Sequence, residues 1–210
     1  MPNVEWDRLN NVFPVSHETL ERLLVYKELL LKWQKSINLV SNSSLYDVWE
    51  RHFIDSVQIA KFITSSSTIV DLGSGAGFPG LVLAILGVGE VHLVESDKKK
   101  CIFLREVSRE TNANVKIHND RIERLSIKTD IITSRACADV SQLFSWSENF
   151  VSCETKCLFH KGRNYSIEYD KAKKEWEFDS LIHPSVVDAD SIILECSHII
   201  RRSHDGNSRK

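Results

Sequence analysis

The chain has 210 residues, 42% hydrophobic and 27% charged, with a formal charge of −2. That balance is ordinary for a globular fold with a sizeable core. It excludes a globally basic nucleic-acid binder, so any such contact needs a local patch. No apolar run approaches the roughly 20 residues of a membrane span. Met1–Asp7 lacks the basic-then-apolar pattern of a signal peptide, and five scattered cysteines fit a reducing cytoplasm better than a disulfide framework.

Residues 1–15 read as loosely structured, with Trp6 and Phe13 as anchors. Ser16 is an N-cap for a helix over about 17–36, where Leu20, Leu23, Leu24, Leu30, Leu31 and Trp33 recur at helical spacing. A second helix is expected over about 44–63, opened by Ser44-x-x-Asp47, which resembles a capping box. Its apolar stripe is Leu45, Val48, Trp49, Phe53, Val57 and Ala60. Within it lies Arg51-His52-Phe53-Ile54-Asp55-Ser56, and helical geometry puts His52, Asp55 and Ser56 on one face. The polar Thr64–Ser67 then marks a boundary. It separates a helical extension, 1–66, from an α/β domain, 67–203, and 204–210 form a polar tail.

From Thr68 onward the pattern alternates. Strands are expected at about 68–72, 90–95, 115–118, 130–134 and 156–160. Helical stretches fall between and after them, at about 79–88, 97–111, 121–125, 139–150 and 165–176. Such alternation implies βαβ units and a mostly parallel sheet. Two last strands, near 178–187 and 191–200, have only Asp188-Ala189-Asp190 between them and imply an antiparallel edge hairpin.

The first strand runs into Asp71-Leu72-Gly73-Ser74-Gly75-Ala76-Gly77-Phe78-Pro79-Gly80, half of the chain's eight glycines. Strand, tight turn and helix in that order make a cofactor cradle, with Pro79 in the first helical turn and helix N–H groups aimed at the ligand. Gly75-x-Gly77-x-x-Gly80 satisfies the dinucleotide fingerprint. Asp71 argues for a different ligand. A carboxylate at the carboxyl end of strand 1 repels a pyrophosphate but suits the ammonium and sulfonium of S-adenosylmethionine. Glu95, ending strand 2, is placed for ribose hydroxyls in either reading. Asp120 and Glu123 follow strand 3, where an adenine would lie.

The stretch Asp71–Gly80 resembles the motif of the RsmG (GidB) family, bacterial small-subunit rRNA methyltransferases that make 7-methylguanosine. Further blocks resemble it in the right order: Lys32-Trp33-x-x-x-x-Asn38-Leu39, Arg51-His52-x-x-Asp55-Ser56, Arg121-Ile122-Glu123, Ser134-Arg135-Ala136 and Lys161-Gly162. The resemblance covers roughly residues 20–165. It implies a Rossmann-like class I S-adenosylmethionine-dependent methyltransferase: a seven-stranded sheet with its last strand antiparallel, and an N-terminal helical extension. By the same resemblance Gly73, Phe78, Ile122, Glu123 and Arg135 line the cofactor site, joining Asp71, Gly75, Gly77 and Glu95. It also implies 16S rRNA or the small subunit as partner, with guanosine 527 as the family's target.

Guanine N7 carries an in-plane lone pair, so its methylation needs positioning and no general base. Thr133-Ser134-Arg135-Ala136 lacks the proline-rich segment typical of exocyclic-amine methylation, and Cys137 lacks the context of a C5 nucleophile. Asp55 is the candidate reader of guanine N1–H and its amine, while Arg51 and His52 are candidates for phosphate or base contacts. Alternatively, His52 and Asp55 simply dock the extension. RNA contacts are expected from Lys98–Lys100, Arg105, Arg109, Arg121, Arg124, Lys161 and Arg163. Cys153-x-x-x-Cys157-x-x-His160 is rejected as a metal site, because strand geometry splits Cys157 from His160 and no fourth ligand follows. A monomer with neither metal nor membrane attachment is expected. The rival readings are a methyltransferase of another substrate, a nucleotide-dependent oxidoreductase and a non-catalytic RNA binder.

Overall fold

Short runs dense in Val, Ile and Leu lie side by side in the computed structural model, which describes residues 4–203. They form β1 (Thr68–Leu72), β2 (Glu90–Val94), β3 (Val115–His118), β4 (Ile131–Arg135) and β5 (Lys156–Lys161), joined by β6 (Trp176–Pro184) and β7 (Ile192–Arg201). The seven-stranded sheet has the order β3-β2-β1-β4-β5-β7-β6. Pairs among the first five strands are parallel, and β7 is antiparallel to both β5 and β6. The expected hairpin is present, with β7 inserted inside and β6 at the edge. Strand order reverses between β1 and β4, the place where sheets of this kind open a crevice at their carboxyl ends.

The helices are α1 (Val4–Val12), α2 (His17–Gln34), the one-turn α3 (Asp55–Val57), α4 (Gly80–Leu86), α5 (Lys98–Thr111), α6 (Val140–Ser147) and α7 (Tyr165–Glu175). Ser16 caps α2 as expected, accepting from the Thr19 amide at 3.1 Å. Two expectations fail. Residues 4–12 are helical, because Leu9 is fully buried under the extension and Arg8 forks onto Glu50. Residues 44–63 are not one regular helix but a tight turn at Asn42–Asp47, a wide π-helical turn at Trp49–Ile54, α3, and a last tight turn at Ala60–Phe62. The capping box does not form, because the Ser44 hydroxyl turns back to the Ser41 carbonyl and to His52. The tail at 204–210 lies outside the described residues.

Side chains alternate across the sheet, so Ile69 and Val70 enter different cores. One face packs on α6 and α7 through Phe144, Phe159 and Trp176. The other carries α4, α5 and the whole extension in one continuous core. Tyr26 of α2 sits at its centre, fully buried, stacked 5.1 Å from Phe78 and edge-on to Phe53. Its hydroxyl donates to the Ala76 carbonyl in the glycine loop. The extension is therefore built into the loop it covers. Among the described residues no helix is long and apolar enough to cross a membrane.

Gly77 shows how tight this contact is. Its φ is +98°, and an added Cβ would meet Leu81 at 2.5 Å and the Tyr26 hydroxyl at 2.8 Å. Tyr26→Phe is expected to cost about 1 kcal/mol, one net hydrogen bond. Gly77→Ala should cost more, about 2 kcal/mol or above, by adding overpacking to backbone strain. Denaturant melts of the three proteins test that order.

Candidate active site

The carboxyl ends of the strands open into a cavity of about 930 Å³. Its walls hold Gly73, Gly75, Phe78, Glu95, Ile122, Glu123 and Arg135 of the expected cofactor set, together with Arg51, His52 and Asp55. Sequence positions as far apart as 51 and 135 thus meet. Asp71 and Gly77 are not part of the wall.

Asp71 is completely buried beneath the glycine loop. Its carboxylate accepts from the Thr133 hydroxyl at 2.9 Å and the Gly80 amide at 3.3 Å. Burial pushes its pKa up to about 6, against the pull of Thr133, Ser74 and Gly80. The expectation of a direct contact with a cationic ligand is corrected: Asp71 braces the turn from below. Gly77 is likewise a packing position under Tyr26. Three amides of the expected cradle are engaged within the fold. The Gly75 amide donates to Glu95, the Gly77 amide to the Ser74 carbonyl and the Gly80 amide to Asp71. Pro79 stands just outside α4 as its N-cap.

Glu95 is buried at the end of β2 and accepts from the Gly75 amide at 2.9 Å and the Asp97 amide at 2.7 Å, one on each oxygen. A carboxylate oxygen has a second lone pair, so Glu95 retains acceptor capacity at the cavity wall. Gly73 has φ +65°, and an added Cβ would collide with the Cys137 thiol. Cys137 is exposed, yet desolvation of its thiol, then Asp71 and Glu95, push the thiol's pKa up, which makes it a poor nucleophile. Ile122 presents an apolar side chain after β3, and Glu123 follows it on the exposed side.

Arg135, at the end of β4, reaches across to the extension. Its guanidinium donates to the Arg51 carbonyl at 2.8 Å and to His52 Nδ1 at 2.7 Å, faces Asp55 at 3.4 Å, and lies 4.9 Å over the Phe78 ring. Arginine has only donors, so His52 Nδ1 must be the acceptor and Nε2 carries the proton. That proton goes to Ser44 Oγ at 2.8 Å, and Ser44 donates onward to the Ser41 carbonyl. Burial, then Arg135 and Arg51, lower the His52 pKa to about 3. Both ring nitrogens of His52 are therefore engaged, and the ring is uncharged. Asp55 also accepts from Gln58 at 2.8 Å, and its carbonyl accepts from His160 Nε2 at 2.8 Å. His52 and Asp55 do share a face, as expected, but they use it on Arg135. Ser56 turns its hydroxyl to the His52 carbonyl.

The basic candidates divide. Arg51, Lys100 and Arg121 reach the cavity rim. Arg109, Arg124 and Arg163 are engaged by Glu106, Asp120 and Asp190. Lys161 is buried against Glu168. Trp33 and Trp49 pack in the core, whereas Trp146 borders the cavity. Ser44 and Thr133 were missed. Their roles depend on which buried group folds against them, and a lone serine or threonine gives no such signal.

These shifts have opposite signs for stability. His52 is neutral when folded but titrates normally when unfolded, so it stabilises above about pH 6.5 and loses that contribution as pH falls toward 3. Asp71 binds its proton more tightly when folded, so stability on its account falls as pH rises through about 4 to 6. Stability–pH curves should therefore steepen in Asp71→Asn between pH 4 and 6, with the opposing contribution removed. The His52 ring signals should show no titration above pH 5 by NMR.

A family model described as "GidB: rRNA small subunit methyltransferase G" matches residues 19–198. The ribosomal RNA small subunit methyltransferase G of Rickettsia akari is 44% identical over 188 residues, 89% of this chain and 98% of that protein. Its counterpart in Paramagnetospirillum magneticum is 46% identical over 189 residues, 89% of this chain and 92% of that protein. Solved structures share the fold at low identity. A variant of MtNAS in complex with S-adenosylmethionine matches with a TM-score of 0.58 at 13% identity, covering 90% of this chain and 77% of that one. TYW2 of M. jannaschii in complex with AdoMet matches with a TM-score of 0.56 at 12% identity, covering 80% of each chain. The fold is thus the Rossmann-like class I methyltransferase fold, and by model and by relatives this chain belongs to the rRNA small subunit methyltransferase G (GidB) family.

Proposed function

We propose that this chain transfers a methyl group from S-adenosylmethionine to N7 of a guanine in 16S rRNA, at the family's site, guanosine 527. As a family member it is an rRNA methyltransferase that uses S-adenosylmethionine; the atom and the nucleotide are the finer reading. We further propose that residues 1–66 serve the 67–203 domain as its substrate-side wall, and that the protein acts in the cytoplasm as a monomer.

The observation that supports the reading is that His52 and Asp55, the titratable pair the extension brings to the cavity, are both tied up by the fold. His52 is neutral with both nitrogens bonded, and Asp55 is held by Arg135 and Gln58. That pair is poor at removing a proton. Guanine N7 asks for none, because its lone pair already lies in the ring plane. What remains for the protein is alignment, which by itself supplies several kcal/mol of barrier lowering.

The residues fit the cofactor by their chemistry. Glu95 keeps lone pairs for ribose hydroxyls, Ile122 offers an apolar surface for adenine, and Gly73 and Gly75 leave no side chain between loop and ligand. When bound, S-adenosylmethionine supplies an electrophilic methyl on a sulfonium. Arg135, pinned by three groups of the extension, keeps Phe78 and the loop in register with the substrate wall. The dinucleotide reading is disfavoured by the same loop: the amides of Gly75, Gly77 and Gly80 are already spent on the fold and have nothing left for a pyrophosphate.

Small subunits from cells lacking this protein should lose one 7-methylguanosine, restored by the wild type; an unchanged modification map refutes the substrate. Calorimetry should show S-adenosylmethionine binding and no NAD binding, and the converse result refutes the enzyme class. Arg135→Ala leaves His52 and Asp55 without their shared partner. It should lower kcat/KM by about 100-fold or more, on the scale of a broken buried charge network.

A further inference from the structure

The cavity has two halves. The residues that fit the cofactor follow β1, β2 and β3, whereas Arg135 and Lys161 stand at the carboxyl ends of β4 and β5 and Ile192 at the start of the antiparallel β7. Lys161 is the unusual member of the second half. Its side chain is only 6% exposed, yet it borders the cavity. Its ammonium donates to the Ala138 carbonyl at 2.6 Å and to Glu168 Oε2 at 2.7 Å. An ammonium has three N–H donors, so one remains. Lys161 lines the cavity together with Gly162, which carries no side chain.

The company of Lys161 restricts what it can bind. Glu168 also borders the cavity and neutralises the lysine charge. A phosphate there would face the Glu168 carboxylate. A neutral carbonyl oxygen would meet a directed donor with no net charge behind it. Guanine offers such an oxygen, O6, next to N7. An arginine fork on O6 and N7 is the common guanine contact, but it would cover the reacting atom. A single N–H on O6 leaves N7 free. Adenine carries an amino donor at the same place and would oppose the ammonium.

Resting on the N7 reading above, we propose that Lys161 is a specificity-determining residue that donates its remaining N–H to O6 of the target guanine and rejects adenine.

The test uses the full-length protein and small-subunit rRNA lacking the mark, with guanine or 2-aminopurine at the target. 2-Aminopurine keeps N7 and lacks O6. For the wild type, kcat/KM should favour guanine by about 10- to 100-fold, the scale of one charge-assisted hydrogen bond. Lys161→Met should lower the guanine value by a similar factor, leave 2-aminopurine nearly unchanged and bring the ratio near one. The Lys161→Met/Glu168→Leu double variant, which leaves no unpaired charge, should show the same ratio. That ratio does not depend on the fraction of folded enzyme. Equal losses on both bases would assign Lys161 to folding or to a phosphate and overturn the proposal, as would an unchanged ratio. Weaker S-adenosylmethionine binding by calorimetry with the base ratio preserved would move Lys161 to the cofactor and also overturn it. A wild type that methylates neither base refutes the N7 reading itself, and Lys161 with it.

Discussion

The structure depends on one half-sealed cation. Arg135 leaves the end of β4 and is held by a carbonyl, an imidazole nitrogen and a carboxylate, all from the extension. Burial pulls its pKa down while Asp55 holds it up, so the guanidinium is stable there only with its partners present. That dependence is mutual. His52 owes its tautomer to Arg135, and Ser44 owes its donor to that tautomer. A chain of hydrogen bonds therefore runs from the catalytic sheet to Ser41 in the outer wall. Extension and sheet are fixed relative to each other at the point where substrate and cofactor must be aligned.

The glycine loop is held from every side but one. Asp71 and Thr133 hold it from beneath, Tyr26 from the extension and Glu95 from β2. Even Cys137 occupies the place of a missing Cβ at Gly73. The loop enters binding already shaped, so little ordering entropy is left to lose there. The cost is borne in its polar groups: amides that would serve a phosphate are consumed, and a carboxylate is buried with its pKa near 6. What the loop leaves at the cavity wall is the remaining acceptor capacity of Glu95.

Much of this was legible in the chain. Strand–helix alternation located every strand to within a few residues, because buried parallel strands must be apolar on both faces. The Ser16 cap was equally readable, being a local contact. The residues that gather around the cavity, from Arg51 to Arg135, were also named. Failures lie where local pattern competes with tertiary packing. The stretch 44–63 has helical periodicity, yet it winds unevenly so that Phe53 enters the core while His52 and Asp55 reach Arg135. Val4–Val12 is helical because Trp6, Leu9 and Val12 pack at helical spacing into the core and Arg8 pairs with Glu50.

By itself the sequence determined the parallel sheet, the terminal hairpin, the position of the crevice and the residues around it. Periodicity, turn chemistry and glycine spacing are short-range properties that each segment carries with it. Tertiary structure alone decided direction and state: that Asp71 points down into the fold, that His52 is neutral with both nitrogens taken, and that Lys161 is buried with one donor spare. A side chain's charge and its free valence depend on dielectric and on partners tens of residues away. Those are fixed only when the chain closes on itself.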